Sequence, residues 1–155
     1  MIDERSAKNI ATLHPQLKPL AERLIELSAE KGITIKVISG LRTYAEQNAL
    51  YAQGRTAKGL KVTNAKGGQS WHNFGTAFDV GVLSSDGEKY YGESHAYKTV
   101  GELGESIGLE WGGSWKKFVD EPHFQLKLGL SITQLHERKM CNLDVVTGQP
   151  VIRSP

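Results

Sequence analysis

Two histidines and three carboxylates in the sequence have residue types and surroundings that suit metal chemistry. His72 and Asp79 lie close together in the segment SWHNFGTAFD, at the entrance to an apolar, β-rich stretch. His123 lies in a second β-rich stretch and follows Asp120 and Glu121. Two histidines and one carboxylate from separate strands would hold zinc with its fourth position open, as in catalytic zinc sites. The same residues could instead form buried, hydrogen-bonded His–Asp pairs, and their spacing alone does not decide.

Two neighbouring acids compete for the role of general base beside His123. Such a base must reach the proton of an attacking water, so it has to project to the side of the metal ligand. Side chains alternate between the faces of a strand, which would put Glu121 on the same face as His123. Asp120 would reach that side only if the chain bends, and Pro122 stiffens the chain there. Periodicity by itself therefore favours Glu121.

Composition favours one globular domain and excludes several classes of protein. The chain has 155 residues, of which 39% are hydrophobic and 23% charged, and a formal net charge of +2. The basic residues are scattered, which argues against a nucleic-acid surface, and no apolar run reaches the roughly 18 residues of a membrane span. With Cys141 as its one cysteine, the chain has neither an internal disulfide nor a cysteine zinc knuckle.

The apolar patterns predict an α+β domain in which helices flank an antiparallel sheet. Leucines spaced three and four apart predict a helix in PQLKPLAERLIELSAEKG, and the capping-box spacing of Thr43 and Glu46 begins another in TYAEQNALYAQG. A further helix is predicted to end at Gly108. Strands are expected in ITIKVISG, GTAFDVGVL and VDEPHFQL.

Two segments lack this periodicity. Residues 55–69 are rich in Gly and Lys and are predicted to form a long exposed loop, which in a compact domain is often functional. Residues 129–155 begin as a possible short helix and are expected to form an appendage without a core of its own. The three tryptophans are expected mainly in the core, although the segment WGGSW could also wall a substrate groove.

Three sequence blocks carry a family pattern in a fixed order. They are SGLRTYAEQNALY, SWHNFGTAFDV and WGGSWKKFVDEPHFQL. Together they resemble the zinc peptidases of the D-Ala-D-Ala carboxypeptidase and L-alanyl-D-glutamate endopeptidase family, which includes phage endolysins and bacterial wall hydrolases. The resemblance spans about residues 14–128 and leaves the last part of the chain outside it. The third block is closer to the endopeptidases than to the dipeptidases of vancomycin resistance.

The resemblance implies a role for each matching residue. The family pattern SxHxxGxAxD supplies two zinc ligands, here His72 and Asp79. A later (D/E)xxH supplies the last ligand, His123, and the catalytic acid, Asp120. The family pattern thus favours Asp120, whereas periodicity favours Glu121. Arg42 would face the metal-bound carbonyl, although its residue type alone would suggest a surface salt bridge. Three further matching residues would bind substrate; they are Ser39, Gln47 and Ser70.

The resemblance therefore implies a zinc peptidase of the hedgehog and D-Ala-D-Ala-peptidase fold over residues 1–128, with an extension of unknown role at 129–155. The expected reaction is hydrolysis of the L-Ala to D-Glu amide of the peptidoglycan stem, with a zinc-bound water as nucleophile and Asp120 as base and then acid. One alternative is a carboxypeptidase that removes terminal D-Ala. The other is a non-catalytic zinc-binding module, against which Asp120 and Arg42 argue.

The expected partner is the stem peptide of bacterial peptidoglycan, and we expect a monomer that neither binds nucleic acid nor inserts into membranes. The polar N-terminus lacks the apolar stretch of a signal peptide. We therefore expect synthesis in the cytoplasm and action on the cell wall after release through a lesion made by another protein, as for a phage endolysin. A host wall-remodelling enzyme is the alternative origin.

Overall fold

The computed structural model describes residues 2–84, 90–91 and 95–151, with the backbone alone at 90–91. The helices are α1 (Glu4–Ile10), α2 (Lys18–Glu30), α3 (Tyr44–Ala52), α4 (His95–Ser106) and α5 (Ile132–Met140), with 3-10 helices at Trp71–Phe74 and Gly112–Ser114. The strands are β1 (Ile35–Ser39), β2 (Ala77–Leu83), β3 (Tyr90–Tyr91), β4 (Leu109–Trp111) and β5 (His123–Leu126). Within this described part of the chain, no helix is long and apolar enough to cross a lipid bilayer.

The sheet is antiparallel, as predicted, and four of its five strands follow the order β1, β2, β5, β4. The short β3 pairs with the end of β2. Strand β2 lies between two others, and all of its residues except Asp79 are buried. The pairing places Asp79 opposite Ser39 of β1 on one side and opposite His123 of β5 on the other. The predicted α+β class is therefore confirmed, and the register brings two of the candidate ligands together.

The chain divides into two compact units, and the first comprises Met1–Leu41 and Gly75–Lys127. It contains the whole sheet with α1, α2 and α4. Phe78 of β2 stacks on Phe124 of β5, with ring centroids 5.6 Å apart, and both side chains are fully buried. The sequence patterns did not predict α1, whose N-cap Asp3 accepts a hydrogen bond from the Ser6 amide.

The second unit comprises Arg42–Phe74 and Leu128–Pro155. Helix α3 begins with the predicted capping box. Phe74, Leu135 and Val145 form a buried hydrophobic cluster, and partly buried apolar side chains pack against it. Those side chains are Tyr44, Trp71, Leu128, Leu130, Ile132 and Val146. The segment after residue 128 therefore shares its core with the 3-10 helix Trp71–Phe74, whereas the domain boundary at 128/129 stays a prediction.

Candidate metal centre

Asp79 and His123 form the sheet's part of the candidate centre. They face each other across β2 and β5, and Asp79 Oδ1 lies 3.3 Å from His123 Nδ1. The His123 side chain is almost completely buried, whereas that of Asp79 is partly accessible. Two ligand atoms about 2.1 Å from a tetrahedral zinc ion would be separated by about 3.4 Å. The separation in the structure therefore fits two ligands of one ion.

The electrostatic surroundings of His123 favour positive charge. Burial by itself lowers the pKa of the imidazole, but the interaction with the carboxylate of Asp79 outweighs it, helped by Gln125 and the charge of Asp120. The pKa of His123 is consequently raised above its ordinary value. A field that stabilises a proton on the ring also stabilises a metal cation beside it.

His72 lies in the 3-10 helix of the second unit and is buried. The Oγ of Ser70 accepts a hydrogen bond from the His72 amide, at 3.3 Å. The buried side chain of Asn73 accepts hydrogen bonds from the amides of Gly68 and Ser70, at 3.0 and 3.1 Å. These bonds give the turn before His72 a defined shape. Ser70 therefore helps to hold the backbone of a candidate ligand.

His72, Asp79 and His123 together form a group that could hold one metal ion. Each offers one ligand atom, and these atoms all lie within 4.8 Å of one another. The described residues contain no second group of three His, Cys, Asp or Glu side chains with this property. Two imidazole nitrogens and one carboxylate oxygen are a donor set that suits zinc.

The chain bends immediately before His123, which bears on the choice between Asp120 and Glu121 as general base. Strand β5 begins at His123, and the carbonyl of Asp120 accepts a hydrogen bond from the His123 amide, at 3.1 Å. Strand alternation therefore does not apply to Asp120 and Glu121. The Asp120 amide donates to the carbonyl of Gly112 at 3.0 Å, while Trp111 Nε1 donates to the carbonyl of Glu121 at 2.7 Å. These contacts fix the backbone around an exposed Asp120 side chain.

Gly112 is required for this arrangement. A Cβ atom there would lie 2.3 Å from the carbonyl oxygen of Asp120, a distance that real Cβ atoms do not adopt. The first glycine of the segment WGGSW therefore allows the close approach of the chain that carries the candidate base.

Arg42 is tied to the 3-10 helix through its own backbone. Its amide donates to the carbonyl of His72 at 3.0 Å, and its carbonyl accepts from Asn73 Nδ2 at 2.9 Å. The guanidinium donates to Gln47 Oε1 at 2.9 Å. Gln47 is fully buried, and its Nε2 donates to the carbonyl of Ala65. This placement favours a role in orienting Arg42, and contact of Gln47 with substrate stays a prediction.

Three polar residues near the centre were missed by the sequence patterns. Asn73 supports the turn of His72, and Glu110 and Gln125 face each other on β4 and β5 beside His123. The signal of Glu110 and Gln125 in the sequence is a polar residue between apolar neighbours in LEW and FQL, whereas Asn73 has no such signal. Trp115 lies over the His123 ring, with centroids 5.2 Å apart, so this tryptophan belongs to the surroundings of the site.

Comparison with known proteins places the chain in a family. Residues 63–126 match the model of a family described as D-alanyl-D-alanine carboxypeptidase. Over 122 residues, the sequence is 41% identical to the peptidoglycan L-alanyl-D-glutamate endopeptidase CwlK of Bacillus subtilis (strain 168), covering 74% of this chain and 73% of that protein. The chain belongs to the D-alanyl-D-alanine carboxypeptidase family. It is accordingly a metallopeptidase, as the sequence blocks predicted.

Two further relatives of this family agree with the assignment. The L-alanyl-D-glutamate peptidase of Listeria phage A118 is 29% identical over 123 residues, which cover 78% of this chain and 40% of that protein. The crystal structure of the Serratia marcescens L-Ala D-Glu endopeptidase ChiX superposes with a TM-score of 0.59 at 27% identity, covering 81% of this chain and 88% of that one. The family model spans His72, Asp79, Asp120 and His123, whereas Arg42 lies outside the matched residues.

Proposed function

We propose that the protein is a zinc-dependent endopeptidase that hydrolyses the L-Ala to D-Glu amide in the stem peptide of bacterial peptidoglycan. The observation that carries this proposal is the 41% identity to CwlK over 73% of that protein. Action on the cell wall, in monomeric form and after release through a lesion made by another protein, belongs to the same proposal.

The residues that would hold the zinc are His72, Asp79 and His123. Three protein ligands leave one coordination position open, which distinguishes catalytic from structural zinc. When bound, zinc would supply a Lewis acid that polarises the scissile carbonyl and lowers the pKa of water. The Asp79–His123 pair supports this choice, because its ligand atoms lie at the separation expected for a shared tetrahedral ion.

Asp120 is the proposed general base and acid. Its exposed carboxylate can accept the proton of the attacking water and then donate it to the leaving amine. The backbone of Asp120 is held at the Gly112 carbonyl and at the amide of His123, so the carboxylate is attached to a fixed segment next to a proposed ligand. The negative charge of Asp120 is one of the causes that raise the pKa of His123.

Arg42 is the proposed stabiliser of the oxyanion. A fixed positive charge near the developing negative charge lowers the barrier, by about 3 kcal/mol for a well-placed donor. The hydrogen bond to the buried Gln47 limits the rotamers of Arg42, and limited rotamers are what a preorganised donor requires. This contact supports a defined orientation of the guanidinium.

Digestion of purified peptidoglycan tests the bond that is cleaved. An endopeptidase of this specificity exposes a new D-Glu or D-isoglutamine amino terminus, which amine labelling and identification of the labelled residue would detect. Release of free D-Ala without a new stem amino terminus would replace the endopeptidase by a carboxypeptidase. The description of the family model favours that second candidate, whereas the match to CwlK favours the first.

Paired substitutions test the choice of base. We expect Asp120→Asn to fold and to bind zinc while its turnover falls by about 10²- to 10⁴-fold, because the amide cannot accept the proton. Glu121→Gln is the matched control and should retain most of the activity. Turnover and zinc content are measured on the same purified samples, and a larger loss in Glu121→Gln would reverse the assignment.

Removal of the metal tests the chemistry as a whole. Wild-type protein should carry about one zinc ion per chain, and a chelator that removes it should abolish wall lysis. Restoration of lysis by added zinc controls for damage to the fold. Lysis that persists in a metal-free sample would show that the protein does not work as a metallopeptidase.

A further inference from the structure

We propose that Glu110 and Gln125 are positioning residues that determine which ring nitrogen of His123 faces the metal. The inference rests on the proposed function, since it concerns a ligand of that site. It adds a role for two residues that are neither proposed ligands of the metal nor part of the ligand motifs.

A chain of hydrogen bonds connects Glu110 to the imidazole of His123. Glu110 Oε2 accepts hydrogen bonds from Gln125 Nε2 and from Trp115 Nε1, each at 3.1 Å. Gln125 Oε1 lies 2.8 Å from His123 Nε2. Gln125 is only 5% exposed, so solvent does not readily replace these partners. The β4–β5 register produces the contact, because it places Glu110 directly opposite Gln125.

The chemistry of the chain allows one arrangement of protons. An ionised carboxylate accepts hydrogen bonds and donates none, so Glu110 must be met by the amide NH₂ of Gln125. The amide oxygen of Gln125 then points to His123 and can only accept, which requires the proton on Nε2. In a neutral imidazole the lone pair is consequently on Nδ1, the atom that lies 3.3 Å from Asp79 Oδ1.

Trp115 gives the same arrangement a second constraint. Its ring packs against the His123 ring at a tilt of 48°, while its Nε1 donates to the carboxylate that orients Gln125. Ring orientation and tautomer are thus fixed by one connected set of side chains. Partners of this kind behind a histidine ligand typically change metal affinity by about 10- to 100-fold when they are removed.

Substitution of Gln125 and Glu110 tests the proposal by zinc affinity. We expect Gln125→Met to bind zinc about 10- to 100-fold more weakly than wild type, because Nε2 loses its acceptor. Glu110→Met should lower zinc affinity less. Gln125 can still accept a hydrogen bond from His123, although without Glu110 its amide is free to flip. Gln16→Met makes the same replacement at an exposed glutamine outside the network. This control variant should bind zinc as tightly as wild type.

A swapped pair provides a rescue that a merely space-filling role would not predict. In Glu110→Gln combined with Gln125→Glu, the carboxylate at position 125 accepts from His123 Nε2 and from the amide at position 110, and only the bond from Trp115 is lost, because one atom of residue 110 meets both partners. We expect the double variant to bind zinc about 10 times more tightly than Gln125→Met. Equal affinities of these two proteins would overturn the proposal, as would wild-type affinity in Gln125→Met.

A direct measurement of the tautomer does not depend on activity. Nitrogen NMR of zinc-loaded protein should show His123 protonated at Nε2 in the wild type and a mixture of the two ring nitrogens in Gln125→Met. Protonation at Nδ1 in the wild type would contradict the positioning role. Absence of zinc binding by the wild type would instead contradict the proposed function, so the two failures are distinguishable.

Discussion

The two regions that carry the candidate ligands are constructed in different ways. Asp79 and His123 lie on paired strands, where the backbone ladder sets their positions and the register alone makes them neighbours. His72 lies on a four-residue 3-10 helix, which is too short to be stable by its own backbone hydrogen bonds. The strand ligands are thus positioned by regular secondary structure, whereas His72 depends on side chains from elsewhere in the sequence.

The support of the 3-10 helix comes from two directions within its own unit. Asn73 connects it to the residues before it and to Arg42. Phe74 anchors it in the cluster formed with Leu135 and Val145, which lie about 60 residues or more further along the chain. Variants in this support should therefore affect His72 while leaving the Asp79–His123 ladder in place.

The largest loss of stability in the support of the 3-10 helix is expected from Leu135→Ala in α5. Leu135 is fully buried, and loss of such a leucine costs about 2–5 kcal/mol of unfolding free energy. The amides of residues 70–74 should exchange hydrogen faster, and zinc affinity should fall, because the anchor of the 3-10 helix is lost. Hydrogen exchange with mass spectrometry and zinc titration measure these two effects.

The matched control for Leu135→Ala is Leu24→Ala, which removes an equally buried leucine of α2 in the first unit. It should accelerate exchange in α2 and the sheet more than at residues 70–74. Identical exchange patterns in the two variants would show that the regions unfold as one, and the comparison between them would lose its basis.

A smaller loss is expected from Asn73→Ala. This change removes the acceptor of two backbone amides and the donor to the Arg42 carbonyl, and unpaired buried groups cost about 1–3 kcal/mol. Asn64→Ala, which removes one exposed hydrogen bond to Arg55, is the control and should cost less stability. Thermal unfolding of the metal-free proteins measures both losses, and equal losses would mean that the buried hydrogen bonds of Asn73 contribute little.

Gln47→Met should affect activity more than stability. Methionine fills a similar volume but removes the acceptor for the guanidinium, and a hydrogen bond to a charged group is worth about 1.5–3 kcal/mol. We expect kcat/KM to fall roughly 10-fold with little change in zinc affinity, because no metal ligand is altered. Gln47→Glu should restore part of the loss by pairing with Arg42. If Gln47→Met instead lowered zinc affinity without lowering kcat/KM, Gln47 would not be the residue that orients Arg42.

The same contrast explains what the sequence could predict. Local patterns identified β2, α2 and the capping box of α3, because apolar periodicity and cap residues are local signals. Strand alternation does not apply to Asp120 and Glu121, because the strand begins at His123, after a turn that contains Pro122. The contribution of Leu135 to the core around Phe74 is a contact between distant residues, and no local pattern in α5 reports it.

The smallest effect is expected at Lys139, on the outer side of the same support. Its Nζ lies 4.2 Å from the centroid of the Tyr44 ring, and an exposed cation–π contact is worth about 0.5–1 kcal/mol. Lys139→Met should lower the unfolding free energy by about this amount and leave zinc affinity unchanged, because Tyr44 keeps its 2.8 Å hydrogen bond to His136. Lys127→Met, at another exposed lysine, is the control for loss of one surface charge. Lys139→Met could also lower zinc affinity as strongly as Leu135→Ala does. The position of His72 would then depend on the exposed face of α5 as much as on the buried face, which would contradict the role of the hydrophobic cluster as its main support.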